Sequence, residues 1–197
     1  MKISTVFVLS SIALISPALA VPTVSNTSPV VIAEPLTITG SIYPGGPELN
    51  LTGTIEELVP KIKELYPDWN PAGNSTSKKR SIEARYFQGQ PTCWTPGDRD
   101  AYYPGIIGGA KYLQGLGLAS CGHPGPVGCT RVSCSWGNGI YLCANKAVGI
   151  PCKRIGDAAI RIADSCWWTD SLKVYKYTRG YWTDTTGYYI KVAGDNC

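Results

Sequence analysis

Histidine is almost missing from this 197-residue chain: His123 is the only one, and after residue 80 glutamate is reduced to Glu83. Small secreted ribonucleases need a histidine with a glutamate, or two histidines, to move protons near neutral pH. A Ser-His-Asp hydrolase would have to use His123, and no Gly-x-Ser-x-Gly turn is present to carry its nucleophile. Within its His-Pro-Gly-Pro run, His123 reads as a loop residue rather than a base. Charge is thin as well, at 16% of residues and a net +4, too mild for a nucleic-acid binder. With 44% hydrophobic residues the chain is not of the disordered class. Beyond the N-terminus there is no long apolar run, so no stable membrane insertion is expected. Cysteine is absent before Cys93, and no Cys-x-x-Cys pair occurs anywhere. Only Cys121 and His123 have near-ligand spacing, so no metal and no cofactor are expected.

What is present divides the chain into three. Residues 1–20 read as a secretory signal peptide: Lys2, an apolar stretch from Val6 to Ile15, and a small-x-small cleavage pattern ending at Ala20. Residues 21–80 hold all three Asn-x-Ser/Thr sequons, at Asn26, Asn50 and Asn74. They also hold one expected helix, from Ile55 to Tyr66, with Thr54 as N-cap and Glu56 and Glu57 in its first turn. The stretch closes on Lys78, Lys79 and Arg80, a basic cluster of the kind a kexin- or furin-type protease grips. The cut would separate a glycosylatable, cysteine-free pro-segment from a cysteine-rich, sequon-free domain beginning at Ser81.

Residues 81–197 form the expected mature domain. They carry twelve basic and eight acidic side chains, so the whole positive excess lies here. Cys93, Cys121, Cys129, Cys134, Cys143, Cys152, Cys166 and Cys197 are even in number, and an exported chain would oxidise them to four disulfides. Thr130 to Trp136 and Ile140 to Asn145 flank Gly137, Asn138 and Gly139, a hairpin signal in which Asn138 and Gly139 supply the positive φ of the turn. That register sets Trp136 opposite Tyr141 and Cys134 opposite Cys143. The two cysteines could bond to each other, or each could staple a different element.

From Lys153 to Cys166 apolar residues recur every three or four positions, giving a helix whose ends Cys152 and Cys166 would tether. A second helix is expected after Pro104, within 98–116. Residues 172–177 and 187–193 read as strands, and 122–128 as a Gly/Pro loop. The order implies an α+β fold, a small disulfide-stapled α/β sandwich with an antiparallel sheet and helices on one face.

Three chemistries remain. Asp98 with Asp100, or Asp157 with Asp164, could form a carboxylate pair for glycoside hydrolysis. Tryptophans and ten tyrosines after residue 80, Trp136 and Trp182 among them, suit stacking on sugars or contact with protein. Arg131, Lys153, Arg154 and Arg161 could form a basic patch for an acidic partner.

The run from Cys134 to Ile140, a helix ending at Cys166, and the run from Gly187 to Cys197 resemble the α/β-sandwich killer toxin secreted by virus-infected smut fungi, together with its effector-like relatives. Under two-fifths of the chain is covered. The resemblance implies a split β-α-β sandwich held by disulfides, and action on another organism's cell. It also implies a role in calcium uptake for a basic side chain just before the hairpin. Here that residue is Arg131, after a shift of one position and with arginine in place of lysine. Eight cysteines are fewer than the type member has.

The leading expectation is a secreted, monomeric, non-enzymatic effector or killer-toxin-like protein. It would bind a protein or glycan on or outside a host or competitor cell, through Arg131, Trp136, Lys153, Arg154 and Trp182. The alternatives are an extracellular carbohydrate- or wall-binding module and, less favoured, a small glycan-active enzyme that uses aspartates.

Overall fold

The computed structural model describes residues 34–71 and 87–197. The signal peptide with Ala20, the sequons at Asn26 and Asn74, and the Lys78–Arg80 cluster lie outside the described residues. Asn50, in the remaining sequon, is exposed on an edge strand.

The fold is α+β, with three helices and three sheets among the described residues. The largest sheet has six strands in the order β1 (Glu34–Pro35), β7 (Gly128–Ser135), β8 (Asn138–Ala144), β13 (Tyr188–Gly194), β12 (Gly180–Thr183) and β4 (Thr92–Cys93). It is antiparallel except where β1 runs parallel to β7. A four-stranded sheet orders β3 (Leu49–Thr52), β2 (Thr37–Gly40), β6 (Ser120–His123) and β9 (Val148–Pro151). A three-stranded sheet joins β10 (Trp167–Thr169), β11 (Lys176–Thr178) and β5 (Ala101–Tyr102). Sequence periodicity pointed to one sheet. The two smaller ones are built from strands of two to four residues, too short to show an alternating pattern.

The helices form where their apolar spacing requires. In α3 (Cys152–Ser165) the buried face is Ile155, Ala158, Ala159, Ile162 and Ala163. In α2 (Tyr103–Gly115), entered through Pro104, it is Ile106, Ala110 and Leu113. These two pack on each other and on the central strands, where Ile140 and Leu142 of β8 pair with Val192 and Ile190 of β13, all fully buried. Their close crossing depends on Gly156, since a Cβ there would lie 2.5 Å from the Ala110 carbonyl oxygen. The third helix, α1 (Ile55–Leu65), buries Ile55, Leu58 and Ile62 and packs on β7, α2 and β3. Its start is secured by the Thr54 backbone N–H, which donates to the Glu57 carboxylate at 2.9 Å.

All eight cysteines are paired. Cys121–Cys152 and Cys93–Cys166 tie the two ends of α3 to β6 and β4, as the positions of Cys152 and Cys166 suggested. Cys129–Cys143 crosses the β7–β8 hairpin, and Cys134–Cys197 pins the C-terminus to β7. Cys134 and Cys143 do not bond to each other, and only Cys134 staples a different element, the C-terminal tail; Cys143 bonds across the same hairpin to Cys129.

The reason is a shift in register. The turn is Trp136–Gly137, with φ of 52° and 77°, two residues earlier than the Asn-Gly signal indicated. Asn138 does not turn; it is buried at the head of β8. A bulge between Arg131 and Ser133 takes up the extra residue and keeps Val132 in the core.

Residues 34–71, which lie within the 21–80 stretch expected to be a removable pro-segment, contribute nine buried apolar side chains to the same core: Leu36, Ile38, Ile42, Leu49, Ile55, Leu58, Ile62, Tyr66 and Trp69.

Candidate binding surface

The β7–β8 turn and the open face of the six-stranded sheet bring several polar and aromatic side chains to one end of the molecule. Strand alternation sends Ile140, Leu142, Ile190 and Val192 toward the helices. Arg131, Tyr141, Lys191 and Tyr181 are therefore left in one directly registered row on the other face. Each of the four is half-buried. The Tyr141 ring lies over Gly139, where an added Cβ would come within 2.7 Å of it, so the glycine gives the ring its place.

Two ion pairs cross this face. Arg131 Nη1 meets Asp195 Oδ2 at 3.0 Å, and Lys191 Nζ meets Asp98 Oδ1 at 2.5 Å. Burial pushes the Asp195 carboxyl up. Hydrogen bonds from Tyr141, Arg131 and the Asn196 N–H, with the Arg131 charge, outweigh that and hold it below its ordinary value. Burial, reinforced by Asp195, raises the Tyr141 phenol, which stays protonated as the donor. The Arg131 Nε–H has no acceptor among the described residues.

Next to this row stands Trp136, 93% exposed at positive φ, a conformation bulky residues rarely adopt. Its turn is tied down on every side. Asn138 Nδ2 donates to the Ser135 and Trp136 carbonyls at 2.8 and 2.9 Å, while Asn138 Oδ1 accepts the Tyr102 N–H. The Asp195 N–H donates to the Gly137 carbonyl at 2.9 Å, and the Cys134–Cys197 disulfide anchors the same tail. Gly105 of α2 leaves the room Asn138 needs: a Cβ there would lie 2.4 Å from its Nδ2. The Asn-Gly pair thus marked the right hairpin, but Asn138 serves as a brace.

The bond from Asn138 to Tyr102 also connects the turn to the three-stranded sheet. There Trp168, Tyr177 and Tyr102 stand in one cross-strand row, extended by Tyr175. Ring centroids are 5.2 Å apart for Trp168–Tyr177, 6.3 Å for Tyr102–Tyr177 and 6.1 Å for Tyr102–Tyr175. Tyr102 and Tyr175 are exposed. At one end the Trp168 Nε1–H donates to Asp100 at 3.3 Å, and at the other Asp170 holds the hairpin loop by accepting the N–H groups of Val174 and Tyr175. The aromatic content is visible in the sequence but this row is not, because its members come from three strands 65 or more residues apart at their extremes.

The five binding residues expected from sequence are therefore divided. Arg131 and Trp136 share one corner, through Asp195 and Gly137. Lys153 and Arg154 lie in the first turn of α3, on the helix side of the sheet, where Lys153 pairs with Asp157 at 2.6 Å and Arg154 donates to the Tyr188 hydroxyl at 3.3 Å. Arg161, on the same helix, reaches Gln90. The basic patch expected of these residues with Arg131 is thus split by the sheet. Trp182 is in the core, 5% exposed, with its ring stacked on Phe87 at 4.5 Å and its Nε1–H on the Gln88 and Gly89 carbonyls. Its face is taken by Phe87 and is closed to a ligand.

The other chemistries considered have structural occupants. His123 is buried. Its Nε2–H donates to the Pro126 carbonyl and its Nδ1 is hydrogen-bonded to the Thr130 hydroxyl, so both ring nitrogens are engaged. Asp98 serves Lys191, Asp100 serves Arg179 and Trp168, Asp157 serves Lys153 and Gln114, and Asp164 accepts the Tyr103 hydroxyl. Among the described residues, one grouping has metal-like spacing, Cys134, Asp195 and Cys197, and its two sulfurs are bonded to each other.

Four disulfides are the chemistry of an oxidising compartment, and no helix among the described residues is long and apolar enough to cross a membrane. The chain matches no protein-family model, no curated protein and no solved structure.

Proposed function

We propose that the protein is a secreted, non-enzymatic effector or killer-toxin-like protein that binds a target on or outside another cell through the corner formed by Trp136 and Arg131. The observation that carries this reading is Trp136 itself. A large side chain is held fully out in solvent, on a backbone conformation with a steric cost, by three hydrogen bonds of Asn138 and a pinned C-terminus. Tryptophan and arginine, here an exposed Trp136 on a braced turn beside a partly satisfied Arg131, are residue types enriched in protein-binding hot spots. The test is growth of challenged cells and direct cell-surface binding, measured for Trp136→Ala and Arg131→Ala. Both variants are expected to keep the parent's melting temperature within a few degrees and to lose at least about tenfold in binding. Unchanged binding by both refutes the reading.

The Trp168–Tyr177–Tyr102–Tyr175 row favours a second reading, an extracellular module that binds wall polysaccharide by ring stacking. Tyr102→Ala and Tyr175→Ala separate the two. Loss of polysaccharide retention in these variants, with Trp136→Ala unaffected, moves the function to the row.

A further inference from the structure

The body formed by residues 87–197 is shaped around residues 34–71 at every level. At the backbone level, the segment closes two strand edges: β1 runs along β7, and β2 lies between β3 and β6. Without it β6 and β7 would each present a row of unpaired N–H and C=O groups. At the level of the core, α1 lies on β7 and α2 with Ile55, Leu58 and Ile62 buried, and Trp69 Nε1–H donates to the Gly115 carbonyl at 2.8 Å. Glycines of the body accept the segment's backbone closely. A Cβ on Gly115 would lie 2.7 Å from Pro71 Cα, and one on Gly117 would lie 2.1 Å from the Ile42 carbonyl oxygen.

The most specific contact is polar. At the β7 bulge the Ser133 hydroxyl and the Cys134 N–H converge on one carboxylate, that of Glu56, at 2.5 and 2.9 Å. Ser133 is 2% exposed, and Gly109 of α2 borders the same spot, where an added Cβ would lie 3.3 Å from Glu56 Oε1. Hydrogen bonds to a carboxylate are stronger than neutral ones, and these two are partly buried.

We propose that residues 34–71 form a non-covalent subunit that stays seated on the 87–197 body when the chain is cut at Arg80, with Glu56 in the Ser133–Cys134 site as its polar anchor. On this view cleavage yields a two-chain particle rather than a free cysteine-rich domain. The proposal does not depend on what the Trp136 corner binds.

The experiment uses the full secreted chain, nicked by a kexin-type protease or, where that enzyme does not cut, at a protease site inserted within residues 72–86. Both pieces are expected to run together on a native sizing column. Denaturing electrophoresis without reductant should separate them, because the segment contains no cysteine. Elution of the nicked protein as a free segment and a separately folded body overturns the proposal. Exchange of the bound segment for an isotope-labelled copy then measures the anchor. Glu56→Ala is expected to speed exchange at least about tenfold. An unchanged exchange rate removes Glu56 from the proposal.

Discussion

Residues 34–71 and 87–197 meet in one core but are held by different forces. The C-terminal body has four disulfides, which close separations of 14, 31, 63 and 73 residues. The N-terminal segment has no sulfur at all. It is held by nine buried apolar side chains, two strand pairings with the body and the Glu56 carboxylate. The difference teaches that the distribution of cysteines marks where the cross-links are, and says little about where the core ends. Burial does not require covalent help when a segment also completes strand edges, because each backbone pair it supplies would otherwise be left open.

The largest effect that separates the two regions should come from reduction. Each disulfide typically contributes ~2–4 kcal/mol, so full reduction is expected to unfold the body and release the segment with it. Circular dichroism and native sizing, recorded during titration with reductant, check this. Loss of the segment before any change in the body would show that their cores are independent.

A smaller effect is expected from Ile62→Ala in α1, at about 2–5 kcal/mol of the stability of the whole molecule, because its side chain is fully buried. Denaturant unfolding should show a lower midpoint in a single transition. A biphasic curve, with only a minor step affected, would mean that the segment is an appendage.

The smallest effect belongs to the body alone. Asp195 is held below its ordinary value in the fold, so as pH falls the unfolded chain takes up that proton first. Its stabilisation is complete above the unfolded value, about pH 3.9, and is lost as pH drops through the folded one. Asp195→Asn should therefore flatten the acid limb of thermal stability below about pH 4 and leave the segment's retention near neutral pH unchanged. An identical acid limb in parent and variant would place the Arg131–Asp195 pair outside the pH response.

Legibility from the sequence followed the range of each interaction. The α1, α2 and α3 helices were readable to within a few residues, since apolar periodicity, Thr54 and Pro104 are local signals. The β7–β8 hairpin was readable as a hairpin, but its turn was displaced by two residues. Asn138 and Gly139 do favour positive φ, yet Asn138 gains more from bracing Ser135, Trp136 and Tyr102, and the last of these lies 36 positions away. Trp182 looked like a surface ligand because a strand's two faces cannot be told apart without knowing what packs on each; Phe87 decided it. Arg131 and Trp136 were picked out by residue type, while the Trp168–Tyr177–Tyr102 row needed strand order to exist.

The order of amino acids by itself determined the α+β class, the positions of the helices and the even, oxidisable set of cysteines. These depend on spacing, composition and thiol chemistry, all written along the chain. Tertiary structure alone decided which cysteine meets which, which face of each strand looks outward, and that a cysteine-free stretch belongs to the core. Those outcomes depend on surfaces that face each other only after the chain has folded, when the free energy of burying them together selects one register and one partner among many that local pattern allows.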